Sequence, residues 1–286
     1  MSKRKKRRLI ILSSVFVLLI AIIVFAAWGN KALMLNKITI ESENLPESFN
    51  GLKIAHISDL HNDEFGKDNV KLISLIEKSN PDIIAITGDI IDAYRTDVEV
   101  ALDFAEKAMQ IAPCYYVNGN HEQRISEDYT ILKEGLEKIG VEVLENEKTS
   151  IEINGENINV LGLSDPSFEA DYLFGETEGV VRHYLDELAT NSEGFTLLLS
   201  HRPELFETYT DYDIDLVLSG HAHGGQFRVP FMGGLYAPNQ GVFPKYDAGL
   251  YTKNGTNMIV SRGVGNSLFP LRLNNRPEVI LIEIVR

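Results

Sequence analysis

Five times along this 286-residue chain a short apolar run breaks directly into a cluster of Asp, Asn, His and Gly. Leu52 to Ile57 leads into Asp59-Leu60-His61, Ile83 to Thr87 into Gly88-Asp89-Ile90-Ile91-Asp92, and Tyr115 to Val117 into Gly119-Asn120-His121-Glu122. Phe195 to Leu199 leads into Ser200-His201, and Leu216 to Leu218 into Gly220-His221-Ala222-His223. Runs this short and apolar read as strands buried on both faces. Between the first three, amphipathic stretches read as helices: Val70 to Ile76 ended by Asn80-Pro81, Val98 to Met109 closed by Pro113, and Ile131 to Ile139 closed by Gly140. Strand alternating with helix implies βαβ units and a parallel sheet. Motifs that all follow the C-terminal ends of strands gather on one edge, where open α/β sheets hold their ligands.

From Glu142 onward strands dominate. Ser150 to Ile153 and Ile158 to Leu161 flank Asn154-Gly155, a hairpin signal. Val180 to Ala189 is helical in pattern, while Met258 to Val260 and Val279 to Val285 close the sheet. The two halves together predict an α/β fold of two packed mixed β-sheets with helices outside. Residues 1–30 form a basic N-terminus and anchor, 31–51 a linker and lead-in strand around Ile38-Thr39-Ile40, and 52–286 the domain. Gly224 to Gly249 is too long for an ordinary connection and carries five aromatics, Phe227, Phe231, Tyr236, Phe243 and Tyr246. Loops of that length are usually functional. Because it starts at His221 and His223, it reads as a rim of the site, with an Ω-loop packed on its own aromatics as the alternative.

Leu9 to Trp28 is an apolar run of twenty residues interrupted only by Ser13 and Ser14. At 1.5 Å per residue it crosses a hydrocarbon core of about 30 Å. A transmembrane helix through residues 9–28 is the preferred reading over a cleaved signal, whose apolar region is shorter and ends in a small-x-small site, which Ala26-Ala27-Trp28 is not. Arg7-Arg8 matches a twin-arginine pair, but within six clustered cations a basic flank is the plainer explanation. That flank stays in the cytoplasm by the positive-inside rule, placing the domain outside. Beyond the six cations, 21 Lys and Arg face 41 Asp and Glu, a formal charge of −20. A nucleic-acid partner is thereby disfavoured, since phosphates need clustered cations. Cys114 is the only cysteine, so no intramolecular disulfide forms; its apolar setting reads as a buried small hydrophobe rather than a nucleophile.

Asp-x-His after a strand offers one ion an oxygen and a nitrogen, and His-x-His in a glycine-flanked loop can present one imidazole to each of two ions. Asp89 is placed to bridge them with its two oxygens. A cation pair can clamp the attacking and leaving oxygens of an in-line displacement and acidify a bound water. That is phosphoryl hydrolysis chemistry. Taken in order, the five motifs between Leu52 and about Gly225 resemble the calcineurin-like metallophosphoesterase superfamily. Gly224-Gly225-Gln226 and Asn274-Asn275-Arg276-Pro277-Glu278-Val279 resemble its membrane-anchored or exported bacterial branch.

The resemblance implies a four-layer αββα sandwich and two divalent metals, one on Asp59, His61 and His223, the other on Asn120, His201 and His221, with Asp89 between. It also implies that His121 is the acid and that Asp92 orients its imidazole. Glu122 reads as loop support or a helix-terminal carboxylate. Ligands of this kind suit Mn, Fe or Zn. The Arg that follows the second Asp of the Gly-Asp-x-x-Asp motif in the superfamily's Ser/Thr phosphatases is Ala93 here, which counts against a protein phosphatase. Arg95, Arg262 and Arg272 remain candidates for the phosphate, with surface ion pairs as the competing explanation for the last two. His56 reads as packed support and His183 as a surface residue. The expected activity is a membrane-anchored phosphodiesterase or phosphatase acting on a phosphate ester, such as a cell-envelope phosphate polymer, by metal-activated water. A lipid-linked phosphoesterase or pyrophosphatase is the second reading. A silent metal-binding module is the third, against which the His121/Asp92 pair argues. The oligomeric state is open.

Overall fold

A computed structural model describes residues 2–169, 177–190, 193–266 and 269–286. After helix α1 (Lys3–Lys31) and strand β1 (Met34–Glu41), the first half runs β2 (Leu52–Ile57), α2 (Val70–Ser79), β3 (Ile83–Thr87), α3 (Val98–Met109), β4 (Cys114–Val117), α4 (Asn120–Arg124), α5 (Ser126–Ile139) and β5 (Glu142–Val143). The second half runs β6 (Glu147–Ile153), β7 (Glu156–Gly162), α6 (Thr177–Leu188), β8 (Thr196–Leu199), α7 (Phe206–Tyr209) and β9 (Leu216–Ser219). Two short hairpins follow, β10 (Arg228–Val229) with β11 (Gly233–Gly234) and β12 (Tyr236–Ala237) with β13 (Gly241–Val242). The chain ends in β14 (Gly249–Lys253), β15 (Thr256–Val260) and β16 (Glu278–Val285).

Two six-stranded sheets result, ordered β1-β16-β2-β3-β4-β5 and β14-β15-β9-β8-β7-β6. The motif-bearing strands β2, β3 and β4 are parallel neighbours in the first, and β8 and β9 in the second. Both sheets are mixed: β16 runs antiparallel to β2, and antiparallel pairs β14/β15 and β6/β7 form both edges of the second sheet. The last strand returns to the first sheet, where it also pairs in parallel with β1 over Met34 to Glu41. Residues 34–41 thus supply an edge strand of the same sheet.

Strand periodicity sorts the apolar side chains into layers. Ile54, Ile83, Ala85 and Val117 point into a core between the sheets, against Val160, Leu197, Leu199, Leu216 and Leu218. Their neighbours Ala55, Ile57, Ile84, Ile86 and Tyr116 face α2, α3 and α5, and Leu161, Leu198 and Val217 meet Val181, Leu185 and Phe206 of the second helical layer. The order is helix, sheet, sheet, helix. Cys114 lies in the first outer layer, where burial pushes its thiol up to about 12, inert as expected.

Helix α1 is long and apolar enough to cross a membrane, and its side chains are exposed on every face except at Ala26 and Asn30. A helix that is apolar all round needs an apolar surrounding. Its end is seated on the domain: Lys31 Nζ donates to Asp63 Oδ1 at 3.1 Å, and Arg276 Nε and Nη2 donate to the Ala32 and Leu33 carbonyls, each at 2.8 Å.

Candidate metal centre

The loops after β2, β3, β4, β8 and β9 meet at one edge of the two sheets and bring the motif side chains together, all but fully buried. His61 Nε2 lies 3.1 Å from His223 Nε2, and Asp59 Oδ1 is 3.3 Å from His223 Nε2 and 3.9 Å from His61 Nε2. Asp89 Oδ2 is 3.7 Å from His61 Nε2 and, on its other side, 3.2 Å from His201 Nε2. Ligand atoms of Asp89, His201 and His221 lie within 4.8 Å of one another, as do those of Asp59, His61 and His223. Donors around a tetrahedral ion bound at 2.0–2.1 Å lie about 3.3–3.4 Å apart, so this spacing fits a cation in each group. The Asn120 carboxamide oxygen is buried without a hydrogen-bond partner, as an unused ligand would be.

Asp89 Oδ1 accepts the His121 N–H at 2.8 Å, so Oδ2 alone faces both groups. Asp92 stands beside two of these rings. Its Oδ2 stands 3.6 Å from His61 Nδ1, the far side of a candidate ligand, while His121 Nδ1 accepts the Ala93 N–H at 3.1 Å. Ligand atoms of His61, Asp92 and His121 lie within 4.8 Å of one another, so the carboxylate adjoins both rings. With Nδ1 accepting, a neutral His121 carries its proton on Nε2, and the side chain lines the cleft.

Glycine precedes Asp89, Asn120 and His221 for a reason of space. A Cβ on Gly119 would overlap the Asp89 carboxylate, and one on Gly220 would overlap Ser58 and Asp59. Glu122 is the clamp between loops: its two oxygens accept the N–H groups of Asp89 at 2.9 Å, Gly119 at 2.8 Å and Ile91 at 3.2 Å. His56 lies beneath, its Nε2 2.8 Å from Thr87 Oγ1, and burial pushes it down to about 3, so it is neutral support. His183 is exposed on α6.

Electrostatics within the cation-free site are opposed in sign. Burial pushes Asp59 up to about 6, with His201 opposing. Burial also acts to raise Asp89, yet His201 beside it holds that carboxyl well below the usual range. Burial acts to lower His201, but Asp89 outweighs it and the imidazole is pushed up to about 10. Its Nδ1 is fixed by the Thr87 carbonyl at 2.7 Å. A proton is therefore retained between Asp89 and His201, where a cation would replace it.

A cleft of about 490 Å³ opens over the centre, lined by His121, Arg124, Arg202, Gln226, Tyr236 and Asn239 among others. The long loop is thus its rim, as expected. Arg202 and Asn239 were not singled out in the sequence. Arg202 is held by Asp165 through Nε at 2.5 Å and Nη2 at 2.8 Å, and its Nη1 lies 3.1 Å from His221 Nε2. Asn239 Oδ1 is 3.0 Å from both His221 Nε2 and Arg202 Nη1, so it can fix the His221 ring. The adjacency of Arg202 to His201 was the available signal; Asn239 had none. Arg262 and Arg272 do not line this cleft: Arg272 is spent on the Arg262 and Gly265 carbonyls, and Arg262 Nε is 3.7 Å from Glu278. Arg95 reaches Asp92, at 3.3 Å, not the cleft.

Residues 52–225 match the family model for calcineurin-like phosphoesterases. The chain is 32% identical over 252 residues to the metallophosphoesterase YkuE of Bacillus subtilis, covering 86% of this chain and 83% of that protein. It is 31% identical over 237 residues to the phosphodiesterase YaeI of Escherichia coli, covering 82% of each. Among solved structures, TT1561 of Thermus thermophilus matches 75% of this chain and 90% of its own at a TM-score of 0.51 and 15% identity, a likeness of fold. The family model spans more than half of the chain, and the chain belongs to the calcineurin-like phosphoesterase family.

Proposed function

We propose that this protein is a membrane-anchored, two-metal phosphoesterase that hydrolyses a phosphodiester or phosphomonoester outside the cytoplasm. One observation carries the reading: two buried donor groups share the single oxygen Asp89 Oδ2 at the floor of an open cleft. Asp59, His61, Asp89 and His223 would hold one divalent cation, and Asp89, Asn120, His201 and His221 the other. Bound there, Mn, Fe or Zn would neutralise phosphoryl oxygens and acidify a water. His121 offers its Nε2 proton toward the leaving oxygen; Asp92 sets the charge beside it. Arg202, held by Asp165, adds a fixed cation at the cleft wall. The anchor and its basic flank support the extracytoplasmic placement.

Chelation should abolish hydrolysis of a generic aryl phosphodiester, and Mn, Zn or Fe should restore it; activity indifferent to the chelator sinks the two-metal reading. Asp89→Asn should lose metal and turnover together. Protease added to intact cells should shave off the domain, and full protection reverses the orientation. A second reading, a lipid-linked phosphoesterase or pyrophosphatase, is favoured by Phe231, Met232, Tyr236 and Phe243, all exposed on the rim loop. A screen of monoesters, diesters and lipid pyrophosphates separates the two.

A further inference from the structure

Where α1 meets the domain there is a second cavity, of about 300 Å³, walled by Phe25 and Trp28 of the helix and by Arg262, Arg272 and Arg276 of the domain. It is separate from the metal cleft and takes no part in the chemistry above. Its volume equals roughly ten waters, yet one wall is aromatic and the other cationic. We propose that this cavity binds the phosphate headgroup of an anionic phospholipid, with the acyl chains running down the Phe25/Trp28 side of the helix.

Depth is the first argument. The apolar run from Leu9 to Trp28 covers about 30 Å, one hydrocarbon thickness, which puts Trp28 at the level of the headgroups. Trp is the residue enriched at that boundary. The proposal therefore rests on reading α1 as a membrane span.

Charge is the second. Three arginines line the cavity, and Glu278, 3.7 Å from Arg262 Nε, offsets one of them. Arg276 is held in place, its guanidinium 5.1 Å over the Trp28 ring and bonded to the Ala32 and Leu33 carbonyls. Arg272 is bonded to Asn266, Arg262 and Gly265 and contributes its charge. Arg262 is different: its buried Nε faces Glu278 at 3.7 Å, and among the described residues its guanidinium makes no hydrogen bond, so its terminal nitrogens are the uncommitted donors of a residue that lines the cavity. A phosphodiester oxygen supplies the acceptor it lacks, and bidentate geometry suits a guanidinium. A headgroup bearing its own ammonium would bring a further cation into the cavity and is disfavoured.

The test uses the full chain in nanodiscs of phosphatidylcholine with a minority of phosphatidylglycerol, followed by native mass spectrometry in mild detergent. One phosphatidylglycerol should be retained per chain in preference to phosphatidylcholine. Arg262→Gln should weaken retention about fivefold, the weight of one cation near an anionic surface, and Arg262→Lys should recover most of it. Arg182→Gln, an exposed cation on α6 far along the chain, should retain lipid like wild type. Unchanged melting and metal content in Arg262→Gln exclude misfolding. Equal retention of both lipids, or of phosphatidylglycerol by wild type and Arg262→Gln, overturns the proposal. Displacement of the lipid by millimolar inorganic phosphate, with phosphate retained in its place, overturns the lipid in favour of a free-anion site. Release of the chain from membranes by alkaline carbonate instead overturns the span on which the proposal rests.

Discussion

Glu122→Gln should loosen the metal centre without touching a ligand. The wild-type carboxylate is fully buried and accepts three backbone N–H groups, from Asp89, Ile91 and Gly119. A carboxamide has one oxygen. If that oxygen keeps the Asp89 and Gly119 donors, the new NH2 faces the Ile91 N–H, donor against donor. With metal bound and the carboxylate ionised, one lost charge-assisted bond and one stranded buried donor cost about 2–3 kcal/mol. For a domain of this size that is a fall in Tm of roughly 4–12 °C. The loops carrying Asp89 and Asn120 are the ones released, so metal affinity should drop about 10- to 100-fold, as for other groups that orient ligands.

The pH dependence gives this prediction a sign. Burial, with Asp89 adding to it, pushes Glu122 up to about 8 in the cation-free protein. There the folded chain keeps a proton that the unfolded chain releases near its ordinary value of 4.5, so this group lowers wild-type stability progressively between those two pH values. Gln has no such slope. The Tm gap between wild type and Glu122→Gln should narrow as pH rises through that window without metal, and stay open with metal, whose charge favours the carboxylate. Calorimetry with and without Mn or Zn, and metal content after equilibration with a competing chelator, measure both. A variant that melts with wild type and holds metal as tightly refutes the clamp, as does a Glu122→Ala variant no worse than Gln.

His121→Ala should bind metal normally and lose about 10²- to 10⁴-fold in turnover, the usual weight of a positioned proton donor; wild-type turnover would remove the acid role. With His201 pushed up to about 10, a proton competes with the cation below that pH, so apparent metal affinity should rise about tenfold per pH unit from neutrality toward it. A flat affinity profile from pH 6.5 to 9 would contradict that linkage. Asn239→Ala removes the acceptor on His221 Nε2 and should weaken one of the two cation sites about tenfold, visible as a second, looser step in metal titration; equal weakening of both would be inconsistent with its position. Gly119→Ala would place a methyl onto the Asp89 carboxylate and should cost at least about 1–3 kcal/mol together with bound metal, read by melting and metal analysis.

Periodicity carried much of this fold. β2 and β3 run as their apolar residues predict, because central strands of a two-sided core have no polar face to blur the signal. The Asn154-Gly155 hairpin was legible from its turn residues, both of which adopt positive φ. Less legible was the return of β16 to the first sheet, a pairing between residues more than two hundred positions apart that local pattern does not encode. The candidate ligands could be read because chemistry limits donors to few residue types at strand ends. Their second neighbours could not. Asp92 facing His61, Arg202 on the cleft wall and Asn239 behind His221 depend on side-chain directions and on a long loop whose path has no periodic signature.

The backbone at the centre shows why these motifs are so short. Asp59, His61, Asp89, His221 and His223 all have positive φ, between 48° and 64°, although none is glycine. For L-residues this costs about 1–2 kcal/mol each, a sum comparable to the net stability of a domain. On an extended strand, residues two apart sit about 6.5–7 Å from one another with parallel side chains, whereas the turn re-aims them toward one point. In the left-handed turn Asp59 Oδ1 and His61 Nε2 come within 3.9 Å. The compensation is visible in the same loops: Asp59 N–H donates to the Gly88 carbonyl at 3.0 Å, His61 N–H to the Asp89 carbonyl at 3.0 Å and Asn62 N–H to the Ile90 carbonyl at 3.2 Å, lacing the first motif to the second. Strain that coincides with five candidate ligands, and is held by hydrogen bonds between their loops, is what a chain selected for converging donors at one point would carry. A chain using these residues only for packing would have had no reason to keep Asp and His, rather than Gly or Asn, at those angles.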